Sequence, residues 1–250
     1  LETLAWNDPH VRKAIDDRRS IAATGAGTLV EALLSEIDAA ADERSWGEYW
    51  GGGIPDYSHV QERMETLLSM GYADEVVLAG EVLLQKGLRQ VEMVDDEGET
   101  IDQIASCMDV VFSALAVSSR PAHEKILYAI EADLEDEYDL CAGAGRLLAE
   151  NFPEEEWSIA ADRLLKRLED ITPVPKGDSF TSRYQRNRLI TMTVTALDKA
   201  GRQDEATSLQ IVEADRTDTY PELVARLLHE GRRDEALQWI HRGISETEET

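Results

Sequence analysis

Apolar residues recur along most of the chain at the three- and four-residue spacing of an amphipathic α-helix. Leu29, Leu33 and Ile37, for example, form one such stripe. The pattern predicts helices near residues 8–23, 29–42, 58–70, 74–94, 100–117, 121–136, 140–150, from 153 onward, 182–200, 203–215, 220–230 and 233–246. No segment has the alternating period of a β-strand, so we expect an all-α protein.

One ten-residue sequence motif occurs three times in similar form, as LLSMGYADEV at 67–76, LDKAGRQDEA at 197–206 and LLHEGRRDEA at 227–236. Each copy reads as a helix end, a turn and a helix start. Glycine adopts the left-handed conformation that closes one helix, and the Asp-Glu pair places negative charge beside the free N–H groups of the next. Helix capping and close packing at the alanine explain these residues, so we assign no site to them.

The spacing of these glycine turns predicts the architecture. Gly201 and Gly231 are 30 residues apart, close to the roughly 34-residue period of tetratricopeptide (TPR) helix pairs. We therefore expect antiparallel helix pairs stacked as a TPR-like α-solenoid, an α-α superhelix in which each pair buries its apolar face against its neighbours.

The composition divides the chain into two helical parts of one continuous body. Residues 1–171 would hold N-terminal helical repeats, with an aromatic and glycine-rich loop near 45–56. A connector rich in proline and glycine, 172–178, leads to C-terminal TPR-like helix pairs at 179–250. Because the first residue is Leu1 rather than methionine, we expect the chain to be a piece of a longer polypeptide.

The charge of the chain restricts its partners. Its 51 acidic and 25 basic residues give a formal net charge of −26. Binding to nucleic acid or to an anionic membrane is disfavoured, because both depend on Lys and Arg that neutralise phosphates. We expect a protein or peptide partner, and a basic one would suit the acidic surface.

An acidic surface with only six lysines is also typical of a protein that works at high salt. We predict that the free energy of unfolding rises as the potassium chloride concentration is raised, because a Debye length of about 3 Å at 1 M screens most self-repulsion. Urea unfolding in dilute buffer and in molar salt measures this. Equal stability in the two would contradict the prediction.

The two cysteines, Cys107 and Cys141, lie 34 residues apart within apolar helical patterns. We expect two buried thiols rather than a disulfide, which is compatible with a reducing cytoplasm. The most apolar run, 108–117, is interrupted by Asp109 and falls short of the roughly 18 residues of a membrane span. We therefore expect a soluble, cytoplasmic protein.

No group of residues predicts catalysis. None of the five histidines stands at a zinc-binding spacing from another histidine or a cysteine, and there is no Cys-x-x-Cys. Paired carboxylates are frequent, but in so acidic a chain they are expected on the solvated surface. We assign no catalytic residue, no cofactor and no metal ligand.

Aromatic residues in the loop near 45–56 form the first candidate for partner binding. Trp46, Tyr49 and Trp50 lie beside three consecutive glycines. Aromatic side chains in such a loop can anchor a partner. The alternative is that the rings cover the N-terminal end of the helix stack, where large aromatic side chains are usually buried.

A basic patch in this acidic chain forms the second candidate. It consists of Arg183, Tyr184, Arg186 and Arg188 at the start of a helix, where arginines do not complement the helix dipole. The alternative is that these arginines form ion pairs within the chain, because carboxylates are abundant.

Three segments together resemble the helical region that follows the zinc finger in bacterial and archaeal SWIM zinc finger proteins. They are WNDPHVRKAI at 6–15, GYADEVV at 71–77 and LLHEGRRDEALQWIHRGI at 227–244. The resemblance implies a helical-repeat interaction region attached to a small zinc module that binds DNA or protein. That module needs a Cys-x-Cys and a later Cys-x-His, and the chain contains neither, so a finger in the full protein would precede Leu1.

We therefore expect a non-catalytic helical-repeat scaffold for protein–protein interaction, within a larger zinc-finger-containing polypeptide. A preformed groove between stacked helix pairs would accept a segment of a partner. One alternative is a hydrolase on an α/α framework, which would need two close carboxylates in a deep pocket. Another is a dimerisation element of a DNA-binding protein, which would leave an apolar surface uncovered in the monomer.

Overall fold

A computed structural model describes residues 27–42, 55–93, 98–171 and 180–248. These residues form eleven helices, and none of them lies in a strand: α1 Gly27–Asp42, α2 Ser58–Ser69, α3 Ala73–Val91, α4 Glu99–Val117, α5 Ala122–Glu135, α6 Ala142–Leu148, α7 Glu154–Asp170, α8 Phe180–Lys199, α9 Gln203–Thr217, α10 Tyr220–His229 and α11 Arg233–Glu248. The all-α prediction is confirmed. The helix predicted near 8–23 and the connector 172–178 lie outside the described residues.

Within the described residues the predicted helix positions agree with the structure to within a few residues. α6 is shorter than predicted because the carboxylate of Asp136 accepts the backbone N–H groups of Tyr138, at 2.9 Å, and Cys141, at 2.7 Å. Asp139, between them, has a φ of 61°. This side-chain-to-backbone bonding holds residues 136–141 in a turn, so that α6 begins at Ala142 rather than near residue 140.

The chain divides into two compact units. The first contains residues 1–121 and 128–150, and the second contains residues 122–127 and 151–250. α5 contributes its first six residues to the second unit and the rest to the first. Each unit has its own buried apolar residues.

In the first unit, helices pack on both their first and second neighbours along the chain. α1 packs on α2 and α3, α2 packs on α3 and α4, α3 packs on α4, and α4 packs on α6. α3 and α4 approach closely at Gly80 of α3, where a Cβ atom would lie 2.4 Å from a methyl group of Val111 on α4. Glycine is required there because a side chain would collide with the stiff valine.

Helix α4 forms the centre of the first unit. Ile104, Cys107, Met108, Val111 and Leu115 are fully buried along it. α4 is also long and apolar enough to cross a membrane, but half of its most apolar 18-residue stretch is buried within the fold. The core helices of soluble proteins can be equally long and apolar, so α4 is weak evidence for a membrane span.

In the second unit, consecutive helices from α7 to α11 pack on one another. α7 packs on α8, α8 on α9, α9 on α10, and α10 on α11. Trp157 anchors α7 in the core, and its ring meets Phe152 edge to face at 6.2 Å. Because α8 has a neighbour on two sides, its buried positions cover more than one stripe, including Leu189, Ile190 and Leu197.

The glycine turns have the predicted conformation. Gly71, Gly201 and Gly231 have φ values of 87°, 73° and 77°. In each turn the glycine N–H donates to the carbonyl three residues back, and the next N–H donates to the carbonyl five residues back, at 2.8–3.1 Å. These are the two bonds of a Schellman helix end. Ala206 and Ala236, five residues after Gly201 and Gly231, are fully buried, as close packing at the alanine requires.

Candidate interaction surface

The two C-terminal glycine turns share an arginine clamp that connects the turn to the next helix. Arg202 donates from Nε and Nη2 to the two carboxylate oxygens of Glu205, at 2.8 and 2.6 Å. Arg232 makes the same paired contact with Glu235, at 2.9 and 2.6 Å. These hydrogen bonds hold the pKa of each glutamate below its ordinary value. The repeated Glu residue therefore has a structural partner.

The first glycine turn uses a different clamp. Tyr72 occupies the position of the arginines. Asp74 instead accepts hydrogen bonds from the backbone N–H of Ser119, at 2.9 Å, and from its hydroxyl, at 2.7 Å. The turn is thereby attached to the segment after α4, within the first unit.

Arginine–carboxylate pairs also connect second neighbours in the second unit. Arg226 of α10 binds both carboxylate oxygens of Asp198 on α8. Arg242 of α11 binds Asp215 of α9. Arg202, in the turn after α8, reaches Asp162 of α7 at 2.6 Å. Guanidinium groups suit such contacts because they bind carboxylates through two parallel hydrogen bonds, which accounts for part of the excess of arginine over lysine.

Arg186, one of the four candidate residues in the basic patch, is buried in an ion pair. It donates from Nε and Nη2 to the carboxylate of Glu213 on α9, at 2.7 and 2.9 Å. The two side chains are 5% and 4% exposed. Burial raises the pKa of Glu213, but Arg186 and the neighbouring Arg216 lower it by more, so that it lies below its ordinary value. Arg186 is therefore not available on the surface to a partner.

The other three residues of the patch are less buried than Arg186. Arg183 pairs with Asp218, which follows α9. Tyr184 is 51% exposed, and the guanidinium carbon of Arg188 lies 5.9 Å from the centre of its ring. This spacing is that of a cation–π contact. Tyr184 is therefore the exposed residue of the patch, whereas Arg183 and Arg188 are half-buried.

The aromatic candidates Trp46, Tyr49 and Trp50 lie outside the described residues. Their assignment to partner binding stays a prediction.

Two acidic side chains are buried in the described part of the chain, and each already has partners. Glu213 is in the ion pair with Arg186, and Asp136 accepts the backbone hydrogen bonds of its turn. They belong to different units. Across the same residues no group of three or more His, Cys, Asp or Glu side chains could hold a metal ion.

His123 of α5 binds Glu156 of α7 within the second unit. The backbone N–H of His123 lies 2.7 Å from Oε2 of Glu156, and its ring Nδ1 lies 2.8 Å from the same oxygen. These hydrogen bonds lower the pKa of Glu156. The contact fixes the first turn of α7 to the start of α5.

We predict that Glu156 contributes to the acid sensitivity of the fold. A carboxyl group whose folded pKa is lowered stabilises the fold above its unfolded pKa, and that contribution is lost as the pH falls through the folded pKa. Glu156→Gln should therefore destabilise the protein at pH 7 and have a smaller effect near pH 3. Urea unfolding across this range measures the difference. An effect independent of pH would contradict the charged hydrogen bond.

Both cysteines are free and buried, as predicted. Burial raises the pKa of Cys107 to about 12, and the carboxylate of Glu65 adds to the effect. Burial and the nearby Asp136 raise the pKa of Cys141 as well. Since the thiolate is the reactive form, neither should react with iodoacetamide in the folded protein at pH 8, and both should react in urea. Rapid labelling of either native thiol would contradict this prediction.

A row of large apolar side chains is uncovered on the last two helices. Leu237, Ile240 and Ile244 of α11 are 54%, 37% and 54% exposed, and Leu228 of α10 is 51% exposed. The sequence shows the three- and four-residue spacing of the α11 row. It does not show that the row is uncovered, because that depends on how α9 packs against α10 and α11.

In comparisons with known proteins, no family model, no curated protein and no solved structure matches the chain. Its function is therefore inferred from its own residues and geometry.

Proposed function

We propose that the chain is a TPR-like helical-repeat scaffold that binds a segment of a partner protein. The observation that carries this proposal is the repeated helix–turn–helix unit around Gly201 and Gly231, with the same hydrogen bonds, the same arginine clamp and a buried alanine at the same position. Repetition of one such unit is the feature that gives solenoids an extended binding surface.

The ion pairs between second neighbours support a preformed binding surface. Arg226–Asp198 connects α10 to α8, and Arg242–Asp215 connects α11 to α9. A surface whose helices are held in this way loses little conformational entropy when a partner binds. Most of the conformational entropy lost on binding would then be lost by the partner segment.

The binding surface would include the exposed Tyr184 and, beside its ring, the half-buried Arg188 on α8. Tyrosine and arginine are enriched among the residues that dominate binding energy at interfaces. The net charge of −26 favours a basic segment, since complementary charge accelerates association and excludes acidic competitors. An acidic, phosphate-bearing partner such as DNA or a membrane surface is disfavoured for the same reason.

The experiment is an affinity capture with the immobilised chain from a lysate of its own organism, at about 0.1 and about 1 M potassium chloride. We expect one saturable partner that survives the higher salt and binds Tyr184→Ala about tenfold more weakly. Val212→Ala is the matched control, because Val212 on α9 is 59% exposed and lies in the same unit.

Two results would contradict the proposal. One is the capture of many basic proteins that all dissociate at the higher salt, which would reflect the net charge alone. The other is a specific partner whose affinity is the same for Tyr184→Ala as for Val212→Ala and the unchanged chain, which would exclude Tyr184 from the binding surface.

A further inference from the structure

The α10–α11 helix pair has two unlike sides within the second unit. One side faces α9, where Arg242 binds Asp215, and where Ala214 of α9 packs with Leu223 and Leu227 of α10. Ile244 lies two residues beyond Arg242, a rotation of about 200° around α11. The row Leu237, Ile240 and Ile244 therefore points away from α9.

Leu228 belongs to the same uncovered side. In α10 it follows the fully buried Leu227 by one residue, a rotation of about 100°. In α11 the row follows the buried Ala236 by a comparable rotation. Because α10 and α11 run in opposite directions, equal rotations from their shared interface bring both sets to one side. We call these four residues the α10–α11 apolar face: Leu228, Leu237, Ile240 and Ile244.

Single exposed apolar side chains are ordinary, whereas several on one side of a helix pair are typical of a surface through which proteins associate. We propose that the α10–α11 apolar face binds the same face of a second copy of this chain, with the two α11 helices antiparallel. Dimerisation through this face does not require the partner-binding function proposed above.

The charge distribution favours a second copy at this position. Residues 1–179 carry 38 acidic and 15 basic residues, whereas residues 180–250 carry 13 acidic and 10 basic ones. Within 220–245 the two signs are equal, at four each. Two copies that approach through this region therefore repel each other less than they would through the rest of the chain. A basic segment would find little attraction at this neutral face, which distinguishes the two kinds of partner.

The sequence of α11 is self-complementary in an antiparallel pairing. Alignment about the point between positions 240 and 241 brings position 237 level with position 244 of the other copy. Leucine and isoleucine then face each other twice, as the twofold symmetry of an isologous interface requires. Parallel alignment in register would instead place Arg233 of one copy level with Arg233 of the other, and the like charges would repel.

The size of the face predicts a weak dimer. Four side chains that are about half exposed supply less than the roughly 800 Å² per partner of a standard stable interface. We expect a dissociation constant on the order of 10 micromolar or weaker. Salt should strengthen the dimer, since it screens the repulsion between two acidic chains, whereas salt weakens the binding of a basic segment.

Sedimentation equilibrium of the purified chain over a wide concentration range tests the proposal. We expect a monomer–dimer equilibrium whose association constant falls at least tenfold in Leu237→Asp and is unchanged in Val212→Asp. The two residues are 54% and 59% exposed, and each substitution adds one negative charge, so the pair is matched. Circular dichroism of both variants verifies that they fold.

An oxidative cross-link tests the antiparallel arrangement without a disruptive substitution. Ile240→Cys lies next to the centre of the alignment and should form a disulfide-linked dimer, while Val212→Cys should not. The native Cys107 and Cys141 are buried and should not interfere. A wild-type chain that is monomeric at every concentration would overturn the proposal. Equal weakening by both aspartate variants, or cross-linking through position 212 rather than 240, would overturn it as well.

Discussion

Arg186→Met should lower the free energy of unfolding by about 3 kcal/mol or more, because it leaves the carboxylate of Glu213 buried without its main partner. Glu213 is 4% exposed and would retain only Arg216, whose Nη1 lies 2.8 Å from its Oε1. Urea unfolding followed by circular dichroism measures the change, and urea leaves the remaining ion pairs unscreened. The loss should shrink as the pH is lowered, since Glu213 can then take up a proton.

The matched control is the double variant Arg186→Met with Glu213→Leu. A buried ion pair replaced by apolar residues of similar volume is often neutral or stabilising, so the double variant should recover most of the lost stability. One further observation favours this recovery: Nη1 of Arg186 is buried and has no hydrogen-bond partner among the described residues. A double variant whose loss of unfolding free energy equals the sum of the two single-variant losses would contradict the account of this pair.

Gln90→Leu should lower the free energy of unfolding by about 2–4 kcal/mol, because Gln90 connects three segments inside the first unit. It donates from Nε2 to the carbonyl of Ala40 on α1 at 2.8 Å, and its Oε1 accepts the hydroxyl of Tyr57 at 2.6 Å. Tyr57 and Gln90 are 1% and 2% exposed. Leucine fills a similar volume but replaces neither hydrogen bond. The same urea measurement gives the difference.

Tyr57→Phe with Gln90→Leu is the control for this network. The double variant should regain about 1 kcal/mol of unfolding free energy relative to Gln90→Leu alone. In Gln90→Leu the buried Tyr57 hydroxyl is left without its acceptor, whereas the double variant has no hydroxyl there. If the double variant loses as much unfolding free energy as the two single variants together, the hydroxyl and the amide contribute independently. That result would contradict a connected network.

The helices could be predicted from the sequence because each depends on neighbouring residues. The stripe from Leu29 to Ile37 indicated α1, and Gly201 indicated the turn after α8, where its φ is 73°. Capping, turn conformation and amphipathic spacing are local properties, so the residues within one or two turns determine them. The Arg–Glu clamps could have been found in the same way, since Arg232 and Glu235 are three residues apart.

The roles of buried polar residues could not be predicted, because their partners are distant in sequence. Arg186 is 27 residues from Glu213, and Gln90 is 50 residues from Ala40. Within their own helices both look like surface residues. Carboxylates were abundant enough to make ion pairing the expected alternative for the basic patch, but no local pattern identified which arginine would be buried. The stacking of helix pairs brings these partners together, and it is a tertiary property.

The SWIM zinc finger resemblance and the predicted role of Trp46, Tyr49 and Trp50 stay predictions. The segment 6–15 that carries part of the resemblance lies outside the described residues. The later segments of the resemblance contain the glycine turns at Gly71 and Gly231, which helix capping also explains.

Hydrogen exchange of the chain, alone and saturated with the partner segment recovered from the capture, tests the scaffold function most directly. The account predicts slower exchange on the helices that precede the glycine turns of the second unit, α8 around Tyr184 and α10, with little change in the buried centre of α4. Unchanged exchange throughout α8 and α10 in a saturated complex would contradict a binding surface formed by the stacked helix pairs.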